Sequence, residues 1–373
     1  MRIVFMLNSS GLYGANRSLL GLIQYLCGKG VKCFAIIPSP GEIEQEFKKL
    51  QIDYKMIVHR ACVWYPGYIG APFLVNLVKL PIIMRTIKKW NVDIIHTNNS
   101  NFDIGMIAAL IMRKKHVWHV REVIEISYSA KYIFPRIYKK LREKSDAVIC
   151  ISKYTYDYSM SHYPNRNMKM IYNPCDIEYY SISRERFAPN ETVTIIMAGI
   201  FVACKRQFDS VRAINSLVGR GIANIKLILA GNGEQQYIDE VEEYIRTNHL
   251  EQKVTLVGFV EDLREIRKES DIALCCTEGE ALGRVVIEGM LSELLVIGAN
   301  SGGIAELIEN RERGLLYELG DYEQLADQIE YAINHKEECR QMILNAKKYA
   351  VENFELARSG ESVLGVYKEL LAD

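Results

Sequence analysis

Asp271-Ile272-Ala273-Leu274-Cys275-Cys276-Thr277-Glu278-Gly279-Glu280-Ala281-Leu282-Gly283-Arg284-Val285-Val286-Ile287-Glu288 is the stretch around which the rest of the chain is read. Its first six residues have the continuous apolar character of a buried strand, its middle is a Gly-bearing turn, and Val285 to Leu291 is an apolar helix. Strand, turn and helix in that order aim the unpaired N–H groups of a first helical turn at one point, where an anion is held. Two carboxylates bracket the turn, Glu280 before the helix and Glu288 within it. With a phosphate at the helix start, both acids remain available for hydroxyls such as those of a sugar or a ribose. The same residues also suit an ordinary α/β turn with solvated acids, so the choice passes to the rest of the chain.

The 373 residues suffice for two domains with sizeable cores. Formal net charge is zero, yet residues 1–178 carry 25 Lys and Arg against 13 Asp and Glu, and residues 179–373 carry 21 against 33. A half at +12 and a half at −12 argue for two units with different partners, the basic one suited to an anionic surface or acceptor. No basic helix with base-reading spacing and no aromatic RNA-binding motif is present, so nucleic acid is not an expected partner. The nine cysteines form no C-x-x-C pair, and Cys150, Cys275 and Cys276 sit in apolar strands. That pattern fits a reducing compartment without structural zinc. The start, Met1 to Leu7, is too short for a signal peptide. The longest uncharged run, Ala61 to Val78, is broken by Pro66, Gly67, Gly70, Pro72 and Asn76 and is not a membrane span. The expected location is cytoplasmic.

Short apolar runs alternate with helical patterns. Strands are expected at Ile3–Leu7, Cys33–Ile37, Tyr54–Val58, Asp93–Thr97, Val117–Val120, Ala147–Ser152 and Lys169–Tyr172, with helices such as Asn16–Cys27, Glu42–Leu50, Leu74–Lys89 and Asp103–Met112 between them. The pattern breaks at Asn173-Pro174-Cys175-Asp176 and in the polar stretch Ser181–Glu191, then restarts with strands at Val193–Ala198, Lys226–Ala230, Val254–Gly258, Ile272–Cys276, Leu294–Gly298 and Leu315–Tyr317. The expected fold class is α/β: two doubly wound parallel sheets, residues 1–178 and 179–355, followed by a last helix within 356–373. Ligands in such sheets bind beyond the carboxyl ends of the strands.

Together these residues resemble the retaining glycosyltransferases of the GT-B architecture, the group 1 and family 4 enzymes, over nearly the whole chain. Glu280 and Glu288, with seven residues between them and Gly283 inside, match that family's donor motif. Gly231-Asn232-Gly233-Glu234 is similar to its G-x-G-x turn, Val257-Gly258-Phe259-Val260 to the strand end beside the nucleotide base, and Ser301-Gly302-Gly303-Ile304-Ala305-Glu306 to its later glycine loop. The resemblance implies two Rossmann-like domains facing across a cleft, with the acceptor mainly on the first, a nucleotide-sugar donor mainly on the second, and the C-terminal helix crossing back to the first. It implies that Glu288 holds ribose hydroxyls and Glu280 contacts the transferred sugar. The donor site would also include Gly14, Gly199, Lys205, Arg206, Gly231, Phe259 and Val260, with Leu282, Gly283, Arg284 and Val285 facing the diphosphate.

One departure stands out. The family carries an Arg directly after the glycine of Ala198-Gly199, and here that position is Ile200; Lys205, five residues on, matches the family Lys. Charge growing on the leaving diphosphate must still be balanced. Arg206 and Arg284 are the candidates to replace the missing Arg, and Arg284, at the start of the donor helix, is preferred. A surface Arg on a helix start is the plainer alternative.

In the first half, Asn8–Arg17 is not the G-x-G-x-x-G of dinucleotide enzymes, which speaks against a dehydrogenase. Gly14 and Ala15 sit where the family's loop reaches the donor phosphates. His119 ends a strand, as a sugar-contacting His does in the family, and His96 ends another; a lone His is also often satisfied in a core. His116 and His119, three apart in a strand, lie on opposite faces and cannot share a metal. With no Asp-x-Asp pair, the expected chemistry is metal-independent and needs no cofactor beyond the donor. Two basic amphipathic stretches, Val75–Trp90 and Tyr132–Lys144, are candidate contacts with an anionic inner-membrane surface, as a lipid-linked acceptor would require; the alternative is a domain helix with a basic polar face. Acceptor choice would lie in loops such as Val63–Tyr68. The rival readings are a GT-B-like nucleotide-sugar epimerase and a non-catalytic sugar-binding protein.

Overall fold

The computed structural model describes residues 1–64, 70–101, 103–127, 129–183, 187 and 191–372. The chain forms two compact units, Met1–Pro174 with Phe354–Asp373, and Cys175–Asn353. The first unit contains β1 (Arg2–Met6), β2 (Lys32–Ile37), β3 (Asp53–Met56), β4 (Val63–Trp64), β5 (Ile94–Thr97), β6 (Lys115–Val120), β7 (Lys131–Tyr132), β8 (Ala147–Cys150) and β9 (Met168–Met170). Seven of these make one parallel sheet in the order β3-β2-β1-β5-β6-β8-β9. The second unit contains β10 (Val193–Ala198), β11 (Ile225–Ala230), β12 (Val254–Gly258), β13 (Ile272–Cys275), β14 (Leu295–Ala299) and β15 (Leu315–Tyr317), in the order β12-β11-β10-β13-β14-β15. Strand order therefore reverses between β1 and β5 in one sheet and between β10 and β13 in the other, and each reversal is a Rossmann-type switch point.

The apolar strands of the first unit are covered on both faces, which is why they read as continuous hydrophobic runs. Ile3, Phe5 and Leu7 pack with Leu22, Ile23 and Leu26 of the helix Gly14–Gly28. Val4 and Met6 point the other way, into a cluster with Leu80, Ile83, Ile87 and Ile104. In the second unit Ile195, Leu227, Leu274 and Ile297 pack together in one large core cluster.

The helix Leu356–Ala372 packs on the helix Gly14–Gly28 of the first unit. Val363, Leu364 and Tyr367 enter the core beside Leu22 and Leu26. A Cβ on Gly360 would lie 2.3 Å from the Tyr25 ring, so only glycine allows this approach. Tyr25 Oη donates to Glu361 at 2.7 Å.

The division falls at Pro174, a few residues before the expected 178. Asp176 caps the short helix Ile177–Tyr180. Ser292 Oγ then donates to the Tyr180 carbonyl at 3.0 Å, and Ile182 N to that of Leu291 at 3.3 Å. These bonds tie residues 176–182 to the second unit. Residues 184–186 and 188–190 of the expected linker lie outside the described residues.

The antiparallel ribbon β4–β7 was not anticipated; each strand is too short to show a period. It takes Tyr132 out of the expected amphipathic stretch, and the helix there begins at Pro135, where a missing N–H costs nothing. Of the aromatic run Val63–Tyr68, residues 65–68 lie outside the described residues.

Candidate functional site

The switch point of the second sheet brings two loops together. After β10 the chain runs through Gly199 and Ile200 to a short 3-10 turn, Ala203–Lys205; after β13 it runs through Thr277 to Gly283. Glu278 N donates to the Cys204 carbonyl at 2.8 Å, joining them. Lys205 Nζ and Glu280 Oε2 then meet at 2.6 Å, with the side chains 27% and 21% exposed. Burial on its own draws the Lys205 ammonium down, but the Glu280 carboxylate outweighs it and leaves Lys205 above its ordinary pKa. Lys205 is thus a fixed cation with two further protons to give, and Glu280 keeps a second oxygen for a hydroxyl.

The glycines around this pair divide into two kinds. Some are required by the protein's own backbone. A Cβ on Gly302, at φ +56°, would lie 2.3 Å from the Glu280 carbonyl, and one on Gly303 2.7 Å from that of Ala281. Gly303 N donates to Glu280 O at 2.7 Å, and Gly279 N to Ser301 Oγ at 2.9 Å. The later glycine loop is therefore the support on which the Glu280 turn rests. Likewise a Cβ on Gly231 would lie 1.9 Å from the Gly199 carbonyl and one on Gly233 2.0 Å from that of Phe201. Gly199 is of the other kind: a Cβ there meets nothing within 4 Å. Its missing side chain is not explained by packing, and the space stands open beside Lys205's loop.

Gly283, at φ +92°, opens the helix Arg284–Leu291. Leu282 is buried, and Arg284 and Val285 are half-buried on the first turn. Arg284 Nε lies 2.9 Å from Glu288 Oε1, one helical turn on, and Arg267 holds the other Glu288 oxygen. The Arg267 and Glu288 side chains are 5% and 10% exposed, against 26% for Arg284. Glu288, expected at ribose hydroxyls, thus stands clamped between two guanidinium groups. Arg284, expected to face the diphosphate, is turned to Glu288 here, and its guanidinium lies 6.0 Å from the Tyr180 ring centre.

Arg206 pairs through Nε with Asp209 Oδ2 at 2.6 Å, an interaction that anchors the helix Gln207–Gly219. It sits at φ +56°, a left-handed conformation that strains a residue other than glycine. Ile200, after β10, is half exposed and Phe259, after β12, is 66% exposed; Val260 is half-buried. Phe259 N donates to Asn232 Oδ1 at 3.0 Å, which links the loops after β11 and β12.

In the first unit, His119 at the end of β6 lies in a fully buried chain of groups. Tyr367 Oη is 2.6 Å from His96 Nδ1, and His96 Nε2 is 3.2 Å from His119 Nδ1. Arg121 Nη2 is 3.4 Å from the same Nδ1, and Arg121 also bonds Asn98 and Asn173. A guanidinium only donates, so His119 Nδ1 accepts and its ring proton is on Nε2. His96 then donates from Nε2 and accepts at Nδ1 from the Tyr367 hydroxyl. Both rings stay neutral, since burial first and the Arg121 charge second hold each well below the usual histidine range. His119 Nε2–H is buried and has no hydrogen-bond partner among the described residues. It is a buried donor without an acceptor. Gly14, at the N-terminus of its helix, is exposed.

Arg267 and Tyr367 were not singled out by sequence. Arg267 stands in an unremarkable charged helix, and Tyr367 lies 271 residues from His96, beyond the reach of any spacing argument. Among the described residues, no group of three His, Cys, Asp or Glu is arranged to hold a metal, and no helix is long and apolar enough to cross a membrane.

Comparison with known proteins agrees with the geometry. Over 380 residues the chain is 23% identical to the GalNAc-alpha-(1->4)-GalNAc-alpha-(1->3)-diNAcBac-PP-undecaprenol alpha-1,4-N-acetyl-D-galactosaminyltransferase of Campylobacter jejuni, covering 99% of each. It is 27% identical over 216 residues to the N-acetyl-alpha-D-glucosaminyl L-malate synthase of Bacillus anthracis, and that match spans only 56% of each chain. Its fold matches HepE of Anabaena, solved with UDP, at a TM-score of 0.83 and 20% identity, covering 99% of this chain and 100% of that one. Sucrose-phosphate synthase of Thermosynechococcus elongatus follows at 0.80 and 17%, with both chains fully covered. The architecture is therefore GT-B. A model described as Glycosyltransferase Family 4 matches residues 13–179, and one described as Glycosyl transferases group 1 matches residues 181–349. The two follow one another along most of the sequence, and the chain belongs to the glycosyltransferases of group 1 and family 4.

Proposed function

We propose that this chain transfers a sugar from a nucleotide-sugar donor to a hydroxyl of a glycan or lipid-linked acceptor, with retention of anomeric configuration, in polysaccharide or glycoconjugate biosynthesis. The observation that carries this reading is the Lys205–Glu280 pair at the switch point, with the open space at Gly199 beside it. The donor diphosphate enters over Gly199 and the helix start at Gly283, where Lys205 and first-turn N–H groups meet its charge. Glu280 holds the transferred sugar through a hydroxyl and steadies the positive charge that develops at its reacting carbon; it need not form a covalent bond. The leaving diphosphate assists deprotonation of the acceptor hydroxyl on the same face. Arg284 leaves Glu288 when the ribose takes its place, which frees a guanidinium for the phosphate that Ile200 cannot serve. His119 gives its Nε2–H to a substrate oxygen. Transfer proceeds without a metal because these cations and the helix dipole carry the charge balance. The names of the relatives support the substrate class: the Campylobacter protein acts on an undecaprenol-linked glycan, and HepE was solved with UDP.

A thermal-shift screen of nucleotide diphosphates and nucleotide sugars tests this, because a ligand bound only by the native state raises the melting point. If no nucleotide raises it, the reading fails. Ile200 favours one second reading, a donor-binding protein that has lost turnover. Donor binding with no nucleotide diphosphate released in the presence of glycan acceptors would select it.

A further inference from the structure

At the carboxyl ends of β5 and β6 in the first unit, one guanidinium holds three neutral side chains. Arg121 directly follows β6 and is 5% exposed. Its Nε donates to Asn98 Oδ1 at 2.8 Å, its Nη2 lies 3.4 Å from His119 Nδ1, and its Nη1 donates to Asn173 Oδ1. Burial draws the Arg121 pKa down to about 9, so the cation persists at neutral pH. Asn98 directly follows β5. The register of β5 with β6 pairs Thr97 with Trp118, and one step on it sets Asn98 beside His119. The backbone here is fixed by other bonds: Asn98 N donates to the Met6 carbonyl at 2.9 Å, and Trp118 Nε1 to that of Asn99 at 2.7 Å.

Asn98 and His119 repeat one arrangement. Each is buried, and each gives its acceptor atom to Arg121. Each then has a donor left over. Asn98 Nδ2 and His119 Nε2 are both buried with no hydrogen-bond partner among the described residues. Two unpaired donors side by side are costly, and buried polar groups are normally satisfied. A cation bonded at the acceptor end of each group also polarises it and strengthens the N–H at the other end. The sequence set His119 apart, but Asn98 and Arg121 carry no motif that marks them.

We propose that Asn98 and His119 form a paired donor site for oxygens of one substrate sugar, and that Arg121 is the positioning residue that fixes both. The identity of the ligand rests on the glycosyl-transfer reading; the role of Arg121 does not. Two N–H groups backed by a cation select oxygens that act as acceptors, which the hydroxyl and ring oxygens of a sugar supply. The transferred sugar and the terminal sugar of an acceptor offer the same chemistry, and ligand binding to a single variant separates them.

Asn98→Asp is that variant. Its carboxylate keeps the shape of the amide and still accepts from Arg121 Nε, but has no N–H to give. A merely structural Asn98 therefore predicts a variant that melts no lower and binds sugars as wild type does. Calorimetric titration compares UDP and GDP with UDP-glucose, UDP-N-acetylglucosamine and GDP-mannose, and then with methyl N-acetyl-α-D-galactosaminide as a soluble acceptor. The free diphosphates carry no sugar and should bind both proteins alike. If the site holds the transferred sugar, Asn98→Asp should weaken the preferred nucleotide sugar about tenfold or more. If it holds the acceptor's sugar, the methyl glycoside is weakened and the nucleotide sugars are not. Equal affinities of wild type and Asn98→Asp across the whole set overturn the donor site. Wild type that binds no nucleotide defeats the glycosyl-transfer reading instead, and nitrogen NMR on the ligand-free protein then judges Arg121 alone. His119 should show a pure Nε2–H form in wild type and a mixed ring signal in Arg121→Met, with the pure form restored in Arg121→Lys. A pure Nε2–H signal in Arg121→Met, or a mixed one in wild type, overturns the positioning role.

Discussion

Lys205 and Glu280, 75 residues apart in sequence, form an ion pair of 2.6 Å between loops on either side of the second sheet's switch point. An ion pair whose partners are still a fifth to a quarter exposed contributes little stability, about 1 kcal/mol or less. Its residues are therefore expected to matter more to turnover than to folding. Glu280→Gln should lower donor turnover by about 10²–10³-fold, and Lys205→Met should do likewise, with melting shifts of only a few degrees. Equal losses in melting and in turnover would mark the pair as structural.

The two kinds of glycine separate stability from donor binding. Gly302→Ala places a methyl 2.3 Å from the Glu280 carbonyl at a left-handed φ and should cost on the order of 2 kcal/mol or more. Gly199→Ala meets no protein atom and should leave the melting temperature unchanged or raise it slightly. If the space at Gly199 receives the donor, the same change should raise the donor KM about tenfold or more. Calorimetric titration with nucleotide diphosphates on both variants makes the comparison.

Arg267 and Arg284 share Glu288 unequally. Arg267→Ala removes one partner of a buried ion pair and should cost about 3–5 kcal/mol. Arg284→Ala acts on a half-buried partner, leaves Arg267 in place, and should cost about 1 kcal/mol. Arg284→Ala should nonetheless reduce kcat/KM for donor more than tenfold, a loss of about 1.4 kcal/mol or more in the transition state. Turnover within a few-fold of wild type would remove Arg284 from the phosphate site.

Removing the Tyr367 hydroxyl leaves His96 Nδ1 buried without its donor, at a cost of about 1–3 kcal/mol. Tyr367→Phe should also loosen the His96 tautomer, seen by nitrogen NMR as a mixed ring signal in place of the pure Nε2–H form, while Arg121 keeps His119 in its own. A positioning role predicts a lower kcat at unchanged donor KM.

Acid should destabilise the protein early. His59, His96, His116 and His119 are buried and all held below the ordinary histidine pKa by burial, His116 down to about 3. Below pH ~6.5 the unfolded chain binds protons at these sites that the folded chain refuses. Stability present above that pH is therefore lost as pH falls, by up to about 1.4 kcal/mol per pH unit for each histidine. Urea unfolding at pH 7 and at pH 5 should show the slope, and His116→Gln should flatten it.

The sequence carried what repeats locally. Alternating apolar runs such as Ile3–Leu7 and Val193–Ala198 gave both sheets, because a strand covered on two faces has no polar side to disguise it. Glycine loops were legible as loops, but not their duties: Ser301–Gly303 turned out to support the Glu280 turn, a contact between loops after β13 and β14. What stayed hidden depends on side chains brought together from far apart. Arg267 reaches Glu288 across 21 residues, and Tyr367 reaches His96 across 271. The helix Pro72–Lys89, read as a basic amphipathic stretch, carries apolar residues on its exposed side as well as its covered one, and the pattern alone does not separate the two sides.

The return of the last helix to the first unit bears on the order in which the protein is made. Residues 175–353 are contiguous and can fold as soon as they have left the ribosome. The first unit is begun earlier and finished later, because residues 354–373 belong to it. Until they arrive, Leu22, Ile23 and Leu26 lack the cover of Val363, Leu364 and Tyr367. A chain stalled short of its final helix would hold a completed second unit and a first unit still open along one flank, a natural client for chaperones that grip nascent apolar surface.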